Sequence, residues 1–220
     1  MLSSAYYRQQ IVAAGQRMLH SGLTVETWGN ISLRDPETGL VYFTPSAMPY
    51  DTILESDVVA CDSTGAIVDG LRKPTVEKEL HLAVYQARPE INAILHTHPL
   101  HSMVFAVLAE PIPLILDEAA QVLGATVEVT PYALPGSLEL AAFCATALGR
   151  KANACLLRAH GAVCVGEDIG QAFRAATVLE LTAQVYYKAR CLGQPQAISA
   201  NAIAAMQDFI RNHYGQEKES

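Results

Sequence analysis

Apolar residues recur at three- and four-residue spacing from residue 3 to residue 20, the mark of an amphipathic helix, with Ser3 or Ser4 placed to cap its start and Gly22 just past its end. The period then changes. Glu26-Thr27-Trp28-Gly29-Asn30-Ile31-Ser32-Leu33-Arg34 is a glycine-containing turn running into an alternating strand. The turn Asp35-Pro36-Glu37-Thr38-Gly39 and a second strand through Val41 and Phe43 complete a β-hairpin. A loop rich in hydroxyls and prolines, Thr44-Pro45-Ser46-Ala47-Met48-Pro49-Tyr50-Asp51, leads to strands over 57–61 and 66–69, joined by the turn Asp62-Ser63-Thr64-Gly65.

Lys73-Pro74-Thr75-Val76-Glu77 opens a helix to about residue 88, with Thr75 as its N-cap and Pro89 as its stop. Residues 75–77 then sit where unpaired helix N–H groups point outward. A strand follows over 92–97, bounded by Pro89 and Pro99, and then a helix over 100–109. A short strand is expected near 113–116, a helical turn capped by Asp117 and ending at Gly124, and a strand over 126–130. A helix over 138–148, a buried strand over 154–158 and helices over 169–192 and 199–212 finish the chain. The first third is β-rich and the rest mixed. This predicts one domain over 1–220 of the α+β type, a three-layer αβα sandwich around a mainly antiparallel sheet, with a tail at about 213–220.

Composition narrows the partners. The 220 residues are 50% hydrophobic and carry a net charge of −7, which argues against nucleic acid or an anionic membrane, since both call for clustered Lys and Arg. An anionic small substrate stays open, because backbone N–H groups or a metal outweigh the overall balance locally. The five cysteines show no C-x-x-C spacing, so they suggest neither a disulfide framework nor a thiolate zinc site. They read as buried, reduced thiols. With no signal segment and no apolar run near the roughly 18 residues that span a bilayer, a cytoplasmic protein is expected.

His96-Thr97-His98 is the pattern that carries chemistry. Residues i and i+2 of a strand share a face, so the two imidazoles either grip one metal ion or are two core histidines satisfied by backbone. His160, at the end of an apolar strand and followed by Gly161, is the best candidate for a third nitrogen ligand. Glu77, an acid among three imidazoles, either ligates the ion or serves as a base. Three protein ligands with an open position describe a catalytic site, whereas structural zinc is closed and mostly cysteine-rich. Such an ion polarises a carbonyl and stabilises the enediolate that appears when a neighbouring bond breaks, while a carboxylate moves the proton. His81 and His101 read as packing residues, and Trp28 as well.

Several segments together resemble the class II aldolase/adducin family, and within it the small zinc-dependent sugar-phosphate aldolases. They are Gly29-Asn30-Ile31-Ser32, Thr44-Pro45-Ser46, Pro74-Thr75-Val76-Glu77, Tyr85-Gln86-Ala87-Arg88-Pro89, His96-Thr97-His98, Pro131-Tyr132 and His160-Gly161. They occur in the family's order over nearly the whole chain. The resemblance implies His96, His98 and His160 as ligands of Zn2+, or of Mn2+ or Co2+, with Glu77 as a resting ligand and the acid/base catalyst. It implies a substrate phosphate site at Asn30, Ser46 and Thr75, extended by Ala47 and Val76. It also implies a catalytic tyrosine, Tyr214, lent to a neighbouring subunit of a homotetramer with intersubunit active sites. The chain departs from the pattern where relatives carry Gly (Ala47), Ser (Val76), a polar residue (Ala159) and a second catalytic Tyr (Asp117). Asp117 is therefore both a helix cap and a candidate catalyst. The implied activity is reversible cleavage of a ketose 1-phosphate. A metal-dependent decarboxylase, epimerase or dehydratase acting on a sugar or sugar acid, and a non-enzymatic adducin-like module, are the alternatives.

Overall fold

Seven short strands form one sheet in a computed structural model that describes residues 3–213. They are β1 (Asn30–Arg34), β2 (Val41–Phe43), β3 (Val59–Cys61), β4 (Ile67–Asp69), β5 (Ala93–Thr97), β6 (Ala154–Leu157) and β7 (Gly161–Gly166). Their order is β4-β3-β2-β1-β5-β7-β6, and every neighbouring pair runs antiparallel.

Strand alternation decides which helices cover which face. Ala93 and Leu95 of β5 join Ile31, Leu33, Ala162 and Cys164 on one side. That side is closed by α1 (Ser4–His20), α3 (Leu100–Leu108) and α6 (Ile169–Leu192). Ile94 joins Phe43, Val163 and Val165 on the other, under α2 (Lys78–Ala87) and α5 (Leu138–Leu148). The short α4 (Asp117–Val122) packs on α6 and on α7 (Ala200–His213). The three layers and the antiparallel sheet are those the hydrophobic pattern predicts. Among the described residues no helix is long and apolar enough to cross a membrane.

Four local expectations change. The helix expected to start at Thr75 starts at Lys78, with Glu77 in the cap position. Thr75 is held instead in a pairing with the preceding loop: its N–H donates to Thr44 O (3.1 Å), and Ser46 N–H donates to Lys73 O (2.9 Å). The strands expected at 113–116 and 126–130 shrink to isolated bridges, Ile112 with Val127 and Val129 with Leu156. Pro111, Pro113 and Pro131 interrupt these segments and have no N–H to give a ladder. Asp117 is the first helical residue of α4, and Leu116 holds the cap position. Finally, β7 is an additional strand next to β5. Its Gly-bounded Ala-Val-Cys-Val run is buried on both faces and so shows no alternation to read.

α3 starts directly after His98-Pro99, and its Pro99 cap offers no side-chain acceptor. Glu180 of α6 supplies one across the layer. It accepts from the backbone N–H groups of His101 (2.8 Å) and Ser102 (2.9 Å), from Ser102 Oγ (2.8 Å) and from His101 Nδ1 (2.8 Å). A carboxylate at a helix N-terminus satisfies otherwise unpaired donors and complements the helix dipole. Glu180→Ala is therefore expected to lower the unfolding free energy by roughly 2 kcal/mol, read from the urea midpoint; a native midpoint would refute this tertiary cap.

Candidate active site

β1 and β5 pair in a register that sets Asn30 opposite His96. Both side chains lie on the sheet face covered by α2. That helix carries Glu77, His81 and Tyr85 at four-residue spacing, one stripe turned to the sheet. His96 is the penultimate residue of β5, His98 lies one residue beyond the strand's end, and His160 lies in the turn between β6 and β7. Antiparallel pairing of β5 with β7, Thr97 opposite Ala162, brings the last of these beside the first two.

The three imidazoles converge. His96 Nε2 lies 3.0 Å from His98 Nε2 and 3.2 Å from His160 Nε2, and the donor atoms of all three fall within 4.8 Å of one another. His96 Nδ1–H donates to Ala162 O (3.0 Å), which leaves only a lone pair on Nε2. Glu77 Oε2 lies 3.1 Å from His96 Nε2, and Oε1 lies 3.9 Å from His160 Nε2. His98 is anchored through its own N–H to Leu23 O (2.8 Å).

Two glycines permit this closeness. A Cβ on Gly161 would meet Thr97 O at 2.4 Å, and one on Gly29, at φ +71°, would meet His96 O at 2.4 Å. Side chains at either position would push the backbones flanking His96 apart. Ala159, just before His160, adopts a left-handed φ of 53° without being glycine.

Burial drives all three imidazoles below their ordinary range, His96 and His160 to about 4 and His98 to about 3. Each is therefore neutral near pH 7 and offers a lone pair. The His96 Nε2 lone pair faces two further imidazole nitrogens at 3.0 and 3.2 Å, and Glu77 Oε1 and His160 Nδ1 are buried without a hydrogen-bond partner. That donor set, three imidazoles and a carboxylate with no thiolate, fits a divalent ion in an open catalytic coordination.

Behind Glu77 runs a buried chain. Asn30 Nδ2 donates to Glu77 Oε2 (3.0 Å), and Asn30 Oδ1 lies 2.6 Å from His81 Nε2. His81 Nδ1 lies 2.6 Å from Ser32 Oγ, which lies 2.8 Å from the Tyr85 hydroxyl. Burial lowers His81 to about 3 and pushes the Tyr85 phenol well up, so both are neutral. The expectation of His81 as mere packing misses this chain. The signal for it is in the spacing: Glu77, His81 and Tyr85 at i, i+4, i+8 on a helix, and Asn30 and Ser32 at i, i+2 on a strand.

The expected phosphate-binding residues fare unequally. Thr75 is buried, and its Oγ1 accepts from Glu77 N–H (3.3 Å). The Ser46 N–H is already engaged in the loop pairing. Ala47 sits at φ 57°, a conformation glycine adopts freely, so the alanine keeps the loop's shape with a side chain added. Val76 is 67% exposed and brings no hydroxyl. Asp117 is exposed on α4, and among the described residues it makes no hydrogen bond to the histidine cluster. Tyr214 lies outside the described residues. Trp28, 58% exposed, sets its ring 5.9 Å from that of His98 at the rim of the site.

Residues 9–187 match the family model described as Class II Aldolase and Adducin N-terminal domain. The chain belongs to the class II aldolase and adducin family. Its enzymatic class is that of a class II aldolase, an aldehyde-lyase. It is 35% identical, over 96% of its length and 97% of the relative's, to a 5-deoxy-D-ribulose 1-phosphate aldolase of Bacillus thuringiensis serovar kurstaki. It is 33% identical, over 93% of its length and 94% of the relative's, to the L-fuculose phosphate aldolase of Escherichia coli strain K12. A solved L-fuculose 1-phosphate aldolase superposes with a TM-score of 0.92 at 34% identity, covering 96% of this chain and 98% of that one.

The donor set predicts about one divalent ion per chain in the purified protein. His96→Ala is expected to lose it while keeping the native circular dichroism spectrum, as read by elemental analysis. Metal retained at the native level would break the assignment.

Proposed function

We propose that this chain is a Zn2+-dependent aldolase that reversibly cleaves a ketose 1-phosphate between C3 and C4. The observation that carries this reading is the buried carboxylate of Glu77 set against three neutral imidazoles, with one of its oxygens free. His96, His98 and His160 would hold the ion, and Glu77 would join them in the resting state. A divalent ion held there polarises the C2 carbonyl and stabilises the negative charge that develops on its oxygen. Mn2+ or Co2+ suits the same mixed nitrogen and oxygen donors.

Cleavage removes the proton from the C4 hydroxyl and breaks the C3–C4 bond, releasing an aldehyde. The bonding pair is left delocalised over C3, C2 and the C2 oxygen. A proton delivered to C3 completes dihydroxyacetone phosphate. Glu77 Oε1, buried and without a partner, is the group that carries the C3 proton, taking it off again in the synthetic direction. Asn30 and Thr75 brace this carboxylate and its helix start, with Ser46 in the adjoining segment. The substrate phosphate is received on this side, where Ala47 and Val76 alter the loop. Tyr214 handles the C4 hydroxyl proton; Asp117 is the other acid in the expected set.

The 5-deoxyribulose and fuculose phosphates named for the relatives share a short, deoxygenated aldehyde end. Trp28 and Val76 at the site suit an aldehyde of that kind. The exposed Trp28, Val107, Leu108 and Leu138 support assembly into a homotetramer with active sites between subunits, the arrangement in which the family resemblance implies Tyr214 serves a neighbouring subunit. A cytoplasmic sugar-phosphate enzyme accords with the reduced thiols.

With dihydroxyacetone phosphate and acetaldehyde, the metal-loaded protein is expected to form a ketose 1-phosphate, and Glu77→Gln to lower turnover by at least about a hundredfold. No product from any short aldehyde would move the assignment to decarboxylation, epimerisation or dehydration. If the sites are shared between subunits, Glu77→Gln and Tyr214→Phe chains, each impaired alone, regain part of the native rate when co-expressed. Mixed assemblies no faster than either parent would place each site within one chain.

A further inference from the structure

The proposed reaction uses Glu77, and four residues stand behind it: Asn30 holds the carboxylate, and His81, Ser32 and Tyr85 follow in line behind Asn30. All four are buried, with His81 and Ser32 fully enclosed. We propose that His81 is a positioning residue. It locks the Asn30 carboxamide with its NH2 toward Glu77, and so decides that Oε2 is the braced oxygen and Oε1 the free one. This inference rests on the assignment of Glu77 as the acid/base group.

The direction of every hydrogen bond follows from two fixed points. A carboxylate only accepts, so Asn30 turns its Nδ2 to Glu77 Oε2 and its Oδ1 to His81. His81 Nε2 must then carry the proton, which makes Nδ1 an acceptor for the Ser32 hydroxyl at 2.6 Å. At the far end Ser32 Oγ, its own proton given to His81, and the Ser32 carbonyl both accept, so the single Tyr85 hydroxyl proton is shared between Oγ at 2.8 Å and the carbonyl oxygen at 3.1 Å. Each member thus finds a partner of the right kind, a complete buried network rather than a partial one.

An amide has two nearly isosteric orientations, and something must choose between them. Without a donor at the His81 Nε2 position, Asn30 Oδ1 loses its partner and the amide is held by its bond to Glu77 alone. The amide then moves with the carboxylate and no longer fixes Oε2 in place. A purely structural hydrogen bond would affect stability alone, whereas a positioning bond acts on turnover at constant metal content.

The test compares metal-loaded His81→Leu and His81→Gln with the native protein, using dihydroxyacetone phosphate and acetaldehyde as the probe and metal content as a control. The Gln amide places an N–H near the imidazole Nε2, and Leu places none. For His81→Leu, kcat is expected to fall about 10- to 100-fold, the usual effect of losing a partner behind an active-site ligand, with KM changed less than about threefold. His81→Gln is expected to recover to within about fivefold of native. A native kcat in His81→Leu, or His81→Gln as slow as His81→Leu, overturns the proposal. Should His81→Leu fail to fold, Tyr85→Phe, which keeps the core volume, is expected to lower kcat about threefold or more at unchanged KM, and an unchanged kcat overturns the proposal equally. Glu77→Gln separates the two levels. If it is inactive beside a fully active His81→Leu, the positioning role alone falls; if it is itself fully active, the acid/base assignment falls and the positioning role with it.

Discussion

Burying a carboxylate among three imidazoles is the constraint around which this molecule is arranged. Glu77 is only 4% exposed and lies 3.1 Å from His96 Nε2. An ionised carboxylate taken out of water is costly unless paired and hydrogen-bonded. One oxygen is paired, by Asn30, and the other is left open toward the histidines. A cation held by the histidines would balance the charge. The apolar sheet faces on either side supply the burial that makes these few atoms depend on one another.

The antiparallel sheet meets this constraint by register. Asn30 opposite His96 on one side of β5 and Ala162 opposite Thr97 on the other place a hydrogen-bonding neighbour on both flanks of the site. The Ala162 carbonyl fixes the His96 tautomer, while Gly29 and Gly161 remove the Cβ atoms that would collide with the backbone around His96. Strain is confined to short connections. Ala47 and Ala159 hold left-handed conformations in the loops carrying Ser46 and His160.

α2 is the element through which the rest of the fold acts on the chemistry. Its start is set by the pairing of the 73–75 segment with the 44–46 loop, so the helix begins only at Lys78 and Glu77 stands at its tip. Its sheet-facing stripe then continues through His81 to Tyr85, tying the Glu77 end of the helix to Ser32 in the middle of β1. A shift of the helix along its axis would disturb every bond of that chain together, so the register of α2 on the sheet and the orientation of the carboxylate are one structural quantity.

The local features were legible in the sequence wherever one short period carried them. The amphipathic spacing of the first helix, the hairpin at residues 28–43, the long helix over 169–192 and the shared face of His96 and His98 need only the 3.6 and 2.0 residue repeats. The three-layer sandwich follows from the order of those elements, and the family from motifs spread along the chain. Other features were decided by tertiary structure, because they depend on groups far apart in the chain meeting with a particular register. Pairing with the 44–46 loop shortened α2, prolines reduced two expected strands to bridges, and two-sided burial concealed β7. His81 is the clearest case. By itself it is one more histidine on a helix, and only the pairing of β1 with β5 beneath α2 joins it through Asn30 to the carboxylate at the three-histidine cluster.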